Sequence, residues 1–379
     1  FLPQIARMRI GIVSTFPPYR GGIAQFNDAM AQSLKQAGHH VHCTTWSRQY
    51  PALMFPGKTQ FEPGKSIADA SMPATLDSIS PTSWKRTGED FGKKHNVDLL
   101  LLPFWHAALA PALTSVAKHA KQHGVRQVVA VMHNANSHDG KAWEAVLTKR
   151  FLGACDGVVT LSSPVSAKLK SWNPATLFHP LYEHFPTGPS SQEARRQLGL
   201  SKGDVAHLFF GLIRPYKGLG VLIDALSHLP SHHKLVVAGE CYENWSVYQA
   251  QIDKHGLQDR VQLHLEFIPD NLVPVFMQAC DNVVLPYLDA SQSGVTALAL
   301  HHEKRVVASD VGDLGTGIVP NLTGRLVPPD QPAALAEALS APWHAQPADQ
   351  AMAFKALKEK FSWSAWATQL TQLVQSEVP

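Results

Sequence analysis

Short apolar runs, each followed by a loop and a helix-length segment, recur along the chain, and the whole cycle occurs twice. The first set is Arg9 to Thr15, His40 to Thr45, Leu99 to Leu102, Gln127 to Met132 and Gly157 to Leu161. The second is His207 to Gly211, Lys234 to Ala238, Val261 to Phe267, Asn282 to Pro286 and Arg305 to Ser309. Runs that are apolar without alternation are strands buried on both faces, and helices between them imply parallel sheets. The expected fold class is therefore α/β, two Rossmann-like doubly wound domains in series with an interdomain cleft. A length of 379 residues suits two cores better than one. Pro and Gly punctuate Pro180 to Ser190, which sets the first domain at residues 1–182 and the second at 183–360. The last helix, about Ser362 to Val374, is expected to bring residues 361–379 back onto the first domain. The Pro-, Gly- and Ser-rich tract from Tyr50 to Ser83 is expected to be mostly loop.

The stretch Leu99 to Ala117 carries no Asp, Glu, Lys or Arg, but Pro103, His106 and Pro111 argue for a buried strand leading into a helix rather than a membrane span. Cys43, Cys155, Cys241 and Cys280 form no close pair, so the expectation is buried free thiols with no zinc site and no disulfide framework. Phe1 to Arg7 lacks the order of a secretory signal and Met8 reads as a natural start, so a cytoplasmic protein is expected. The charge is unevenly spread. Residues 1–180 hold 19 Lys and Arg against 10 Asp and Glu, and residues 181–379 hold 14 against 20. A basic first half suits a phosphate-bearing acceptor or an anionic membrane surface, with a peripheral position at the inner membrane face, or simply solvated lysines. No basic helix or aromatic-basic motif marks a nucleic-acid module.

Three turns carry residues suited to anion chemistry. Tyr19-Arg20-Gly21-Gly22-Ile23 lies between the first strand and the first helix, where glycine permits close backbone approach and a helix start offers N–H groups. It lacks the GxGxxG spacing of a dinucleotide fingerprint. Phe210-Gly211-Leu212-Ile213-Arg214-Pro215-Tyr216-Lys217-Gly218 brings two cations to a helix start, where they would stabilise the charge developing on a departing diphosphate. Leu285-Pro286-Tyr287 followed by Ser291-Gln292-Ser293-Gly294-Val295-Thr296 makes a third such turn, although a plain Ser N-cap explains the serines equally well. All three follow strand C-termini, the ligand-binding edge of an open α/β sheet. His133 ends a strand on that same edge and suits either packing or a hydrogen bond to substrate. His138-Asp139 and His301-His302 lack metal-ligand spacing and read as surface features.

These residues resemble the family-4 retaining glycosyltransferases, also called group 1, whose fold is GT-B. The likeness extends over nearly the whole chain. Gly211 to Gly218 resembles the family's second-domain signature, and Phe267-Ile268-Pro269-Asp270, Ala279-Cys280-Asp281, Val306 to Gly312 and Gly324-Arg325-Leu326-Val327-Pro328-Pro329 look like later landmarks in the same order. The resemblance implies transfer of a sugar from a nucleotide diphosphate sugar to a glycan or lipid-linked acceptor, with retention and without metal or cofactor. It implies that Arg214 and Lys217 hold the diphosphate and that Ser293, Gly294 and Val295 contact it. Gly211, Gly239, Glu240, Ile268, Tyr287, Ser291 and Gln292 would complete the donor side. His133 would stand beside the transferred sugar, with Arg20, Gly21 and Gly22 forming the acceptor or phosphate loop. Closure of the two domains around the donor is expected.

The sequence departs from the family pattern in three places. Leu212 stands where an Arg usually follows the Gly, with Arg214 two residues later. Ser291 to His302 contains no carboxylate, so the family's paired glutamates are absent, with Leu298 or Ala299 where the ribose-binding one is expected. Gly312-Asp313-Leu314-Gly315 replaces a turn that normally ends in an acid. The Gln292-Ser293-Gly294-Val295 form is similar to that of a subset of the family. Two alternatives stay open: a nucleotide-sugar epimerase of the same fold, and a non-catalytic subunit that binds a sugar nucleotide or a partner.

Overall fold

The computed structural model describes residues 7–50, 59–135, 142–183 and 185–376. The His138-Asp139 pair lies outside them. The chain divides into two compact units, Phe1–Phe178 with Trp363–Pro379, and His179–Ser362.

Unit 1 holds a seven-stranded sheet of β1 (Arg9–Val13), β2 (His40–Arg48), β3 (Ala74–Asp77), β4 (Leu99–Phe104), β5 (Gln127–Met132), β6 (Gly157–Thr160) and β7 (Ala175–Thr176). Their order is β3-β2-β1-β4-β5-β6-β7 and every pairing is parallel. The order reverses between β1 and β4, the topological switch point at which such sheets bind ligands. Helices α1 (Gly22–Gln36), α2 (Pro81–Lys93), α3 (Ala110–Gln122), α4 (Ala142–Leu152) and α5 (Ser163–Lys168) connect the strands. In α1 the buried Ala24, Asn27, Ala31 and Leu34 recur at helical spacing, with Phe26 and Met30 on the same face, and Gly38 at φ 91° follows its end. The C-terminal helix, Trp363–Ser376, packs on α1 through Phe26, whose ring lies 5.0 Å from that of Trp363 and 5.9 Å from that of Trp366.

Two elements differ from the sequence reading for identifiable reasons. The strand expected to stop at Leu102 runs through Pro103 to Phe104. Phe104 accepts a hydrogen bond from His133 N on the β5 side, so the preceding residue directs its donor-less nitrogen toward β1, past the last β1 rung at Ile12–Leu101. The Tyr50 to Ser83 tract contains β3 and the start of α2. Only Leu76 of β3 is buried and its pairing with β2 is irregular, so this edge strand has little apolar signature.

Unit 2 holds β8 (Val205–Phe210), β9 (His233–Ala238), β10 (Val261–His264), β11 (Asn282–Leu285), β12 (Arg305–Ser309) and β13 (Gly324–Val327), all parallel in the order β10-β9-β8-β11-β12-β13. Its switch point lies between β8 and β11. The helices are α6 (Ser191–Gln197), α7 (Leu219–Ser227), α8 (Ser246–Lys254), α9 (Val273–Ala279), α10 (Gly294–His301), α11 (Pro332–Ser340) and α12 (Pro347–Lys360). β13 escaped the sequence reading because its central Arg325 and Leu326 are not buried.

Among the described residues no helix is long and apolar enough to cross a membrane. Leu99 to Ala117 forms β4 and most of α3. The four cysteines are free, but only Cys280 is fully buried, which corrects the expectation for Cys43, Cys155 and Cys241. His302 is also not a plain surface residue, because its Nε2 atom is enclosed without a hydrogen-bond partner.

At the N-terminal edge of the second sheet, His207 on β8 and His233 on β9 share a buried hydrogen bond, Nε2 to Nδ1, of 2.9 Å. Burial, then the neighbouring His233, pushes His207 down to about 3, and burial lowers His233 as well. Unfolded histidines titrate near 6.5, so the unfolded chain takes up protons first as pH falls. Stability contributed by the neutral pair is intact above pH about 6.5 and is lost progressively toward pH about 3. Between pH 7.5 and 4.5 the wild type should lose roughly 3 kcal/mol through His207. His207→Gln should flatten that slope in urea denaturation followed at both pH values. An unchanged slope would show that this pair does not set acid stability.

Candidate functional site

The unit 2 turns on either side of the switch point are held together by backbone. After β8, Arg214 leads in extended conformation into a short 3-10 turn, Pro215–Lys217, closed by Gly218 at φ 66°. A Cβ on Gly218 would stand 2.0 Å from the carbonyl oxygen of Pro286, which follows β11. Leu288 N then donates to Tyr216 O at 2.7 Å. No side chain fits where the two turns cross, so the chain needs glycine both for the left-handed conformation and for the approach.

That crossing buries a charge. Lys217 is 9% exposed, and its Nζ lies 5.6 Å from the ring centroid of Tyr287. A Cβ at Gly211 would come 3.4 Å from the same Nζ. Burial holds the ammonium below the ordinary lysine range, a shift that Tyr216 opposes and Arg214 reinforces. Arg214 is half-buried, its guanidinium 4.8 Å from the ring centroid of Tyr242. Tyr242 Oη donates to Glu240 Oε2 at 3.4 Å, and Glu240 O accepts from Ile213 N at 2.8 Å. Gly239, at φ 145°, is also a forced glycine, since a Cβ there would meet Gly211 O at 2.2 Å. The β8 and β9 turns are thereby stacked edge to edge, with both cations on them.

Across the switch point, Ser293 caps α10, its Oγ accepting from Val295 N at 3.2 Å and lying 3.3 Å from Tyr287 Oη. The N-cap role that the sequence allowed is therefore filled. Burial pushes the Tyr287 hydroxyl up to about 12, so it stays protonated and able to donate. Ser291 O accepts from Asp313 N at 3.0 Å, tying the turn to the Gly312-Asp313 segment after β12. Leu298 and Ala299 of α10 are buried, and no carboxylate replaces the absent glutamate on this helix. Leu212 is 41% exposed, so the position next to Gly211 carries an outward side chain while the guanidinium of Arg214 is drawn in.

Gly211, Arg214, Lys217, Gly239, Glu240, Tyr287, Ser291, Gln292, Ser293, Gly294 and Val295 thus share the three turns nearest the switch point. Ile268 does not. It is buried on the loop after β10, two strands further out. The sequence reading missed Tyr242, which lies two residues beyond Glu240 in no recognisable motif. It also missed Tyr182, whose hydroxyl would lie 2.7 Å from a Cβ on Gly294 and which comes from a Pro-rich segment with no local signal.

In unit 1 the corresponding turn follows β1. Gly21, at φ 104° and ψ 168°, is the N-cap of α1 and offers no side-chain cap. Arg20 N donates to Gln60 O, and Tyr19 Oη to Trp46 O at 3.0 Å, which fixes the approach to the helix. Asn27 Nδ2 ties α1 to the end of β1 through Ser14 Oγ at 2.8 Å and Thr15 O at 2.9 Å. His133, following β5, is 4% exposed and meets the ring of Phe26 edge-on at 4.7 Å. Phe26 lies one turn into α1, so the helix that starts at Gly22 also carries the ring against which His133 packs. At and just after the end of β2, Arg48 pairs with Asp77 and Tyr50 Oη accepts from Trp105 Nε1 at 3.2 Å. Among the described residues no cluster of His, Cys, Asp and Glu could hold a metal ion.

With the turns in place, comparison with known proteins identifies the fold. Residues 205–343 match the family of glycosyl transferases group 1. Among curated relatives, a D-inositol 3-phosphate glycosyltransferase of Xylanimonas cellulosilytica is 33% identical over 163 residues, 41% of this chain and 39% of the relative. O-antigen chain mannosyltransferase C of Escherichia coli is 30% identical over 210 residues, 52% of this chain and 54% of that one. The chain thus spans between about two fifths and half of the length of these relatives. Among solved structures, Anabaena HepE in complex with UDP and glucose superimposes with a TM-score of 0.72 at 18% identity, over 98% of this chain and all of that one. Sucrose-phosphate synthase from Thermosynechococcus elongatus gives 0.68 at 21% identity, over 98% and 99%. The fold is that of the GT-B glycosyltransferases, two Rossmann-like α/β units with parallel sheets.

Gly218 and Gly199 share φ 66°, but a Cβ on Gly199 would have nothing within 4 Å. Gly199→Ala should therefore cost only the left-handed strain, about 1 kcal/mol, whereas Gly218→Ala should cost about 3 kcal/mol or more because the Pro286 carbonyl must move. Equal losses in chemical denaturation would mean that the turn crossing is not tight.

Proposed function

We propose that this chain is a retaining glycosyltransferase that moves a sugar from a nucleotide diphosphate sugar to a glycan or lipid-linked acceptor, without a metal ion or cofactor. The observation that carries the proposal is the buried Lys217 ammonium beside Arg214 at the unit 2 switch point, within the segment that matches the group 1 family. An uncompensated buried cation is unfavourable unless something anionic meets it. A diphosphate leaving group is such an anion, and preplaced cations in a poorly hydrated turn stabilise its developing charge more than water does. Arg214 and Lys217 would supply the positive charge that the departing diphosphate needs. The N-terminus of α10, capped by Ser293, would add N–H groups and a favourable dipole.

In this reading the bond from the sugar anomeric carbon to the diphosphate oxygen breaks, and a bond to the acceptor oxygen forms on the same face. The acceptor proton passes to the leaving phosphate. His133 would hydrogen-bond the transferred sugar, and Arg20, Gly21 and Gly22 would serve the acceptor or its phosphate. The names of the relatives support the class of acceptor, since one is an O-antigen chain mannosyltransferase and another is a GDP-mannose:glycolipid mannosyltransferase of Xanthomonas campestris. A place at the cytoplasmic face of a membrane fits such an acceptor and the basic charge of residues 1–180. A second reading, a donor-binding subunit without catalysis, is favoured by the apolar Leu298 and Ala299 where a ribose-binding acid is expected.

Thermal unfolding with UDP, GDP, ADP and CMP, and then with their sugar conjugates, tests the proposal. One nucleoside diphosphate should stabilise the protein, and Arg214→Ala and Lys217→Ala should each weaken its binding by about tenfold or more. Slow hydrolysis of the matching sugar donor should accompany binding. Binding without hydrolysis or transfer would favour the second reading, and stabilisation that survives both substitutions would refute the assigned site.

A further inference from the structure

Unit 2 contains a recess of about 440 Å³ that the donor turns do not use. Its wall is formed by Phe185, by Gln278 in the last turn of α9, by His302, Glu303 and Lys304 in the turn before β12, and by Lys358 of α12. Because that turn precedes β12, the recess lies at the N-terminal edge of the sheet, whereas the donor turns follow strand C-termini. Helix α10 separates the two, with Ser293 at one end and His301 at the other, eight residues and so about 12 Å of rise.

The charges in the recess do not balance. Lys358 Nζ pairs with Glu303 at 2.6 Å, which neutralises the one carboxylate on the wall. Asp281, the next carboxylate to act on Lys304, is taken by Arg195 at 3.3 Å and by Ala206 N at 2.7 Å. Lys304 keeps a single long contact, to Gln278 O at 3.4 Å. Burial holds its ammonium below the ordinary range and lowers His302 to about 4, so the imidazole is neutral. A lysine following the C-terminus of α10 also complements the helix dipole, but that role needs neither burial nor a cavity.

We propose that this recess binds a small soluble phosphomonoester, with the phosphate held by Lys304 and Lys358 and the organic part against Phe185. A tetrahedral dianion bridges two ammonium groups, and the volume falls in the range of small-molecule sites, about 300 to 1,000 Å³. The site is independent of the transferase reading, since it shares no residue with the donor turns.

The test titrates the full chain with inorganic phosphate and with glycerol 3-phosphate at low ionic strength, by calorimetry and thermal unfolding. Saturable binding is expected, weakened about tenfold in Lys304→Gln and in Lys358→Gln and retained in the Arg214→Gln, Lys217→Gln double variant. Loss in the double variant with retention in the other two would place the anion at the donor turns and overturn the proposal, as would the absence of saturable binding. Binding only to phosphatidic-acid vesicles would overturn it in favour of a lipid headgroup. Should Lys304→Gln fail to fold, acylation of Lys304 in the wild type provides the second measurement. Phosphate should slow it severalfold, and an unchanged rate contradicts the proposal.

Discussion

Everything at the unit 2 edge follows from one steric constraint: the turn after β8 crosses the turn after β11 with no room for a Cβ at Gly218. A parallel sheet buried on both faces has its strand ends as the only places where polar side chains can gather. The crossing at Gly218 decides which of them gather. It fixes the 3-10 turn before it, and so puts Lys217 under Gly211 and over the Tyr287 ring. It also pulls Pro286 and Leu288 against Tyr216, which positions the segment running on to Ser293 and α10. Two cations and a helix start are thereby brought together by backbone geometry rather than by ion pairs.

The strand ends carry histidine and lysine differently. His207 and His233 are buried as a hydrogen-bonded pair that is satisfied while neutral, so burial costs little at neutral pH. Among the described residues Lys217 has no such hydrogen-bonded partner, and no acid forms an ion pair with it. A group that destabilises the free fold and sits at the ligand-binding edge is the pattern expected where function, not stability, sets the residue.

Much of this was legible in the sequence because the relevant signals are local. Leu99 to Leu102, Gln127 to Met132 and Arg305 to Ser309 are continuous apolar runs, and each is a strand buried on both faces. Glycine next to cations after a strand marked Gly211 to Gly218, and Ser293 fills the helix-cap role that the sequence allowed as one of two readings. What stayed hidden depends on neighbours distant in sequence. Pro103 could remain in a strand only because β1 ends beside it, and β3 is an edge strand whose register slips against β2. Tyr182 and Tyr242 reach the turns at the unit 2 switch point from segments whose own composition says nothing. Nothing in the sequence distinguished His302, whose Nε2 is enclosed without a hydrogen-bond partner, from its neighbour His301, although both line the same recess.

The central claim is that the buried Lys217 ammonium awaits a diphosphate, and its own titration tests that directly. The protein labelled with 13C at lysine side chains would be titrated by NMR, with Lys217→Arg used to assign the resonance, first free and then saturated with the nucleoside diphosphate it binds. The account predicts that Lys217 titrates below the ordinary lysine range in the free protein and moves up toward about 10.4 or beyond when the diphosphate is bound. A Lys217 that titrates at the same pH with and without the diphosphate would contradict it.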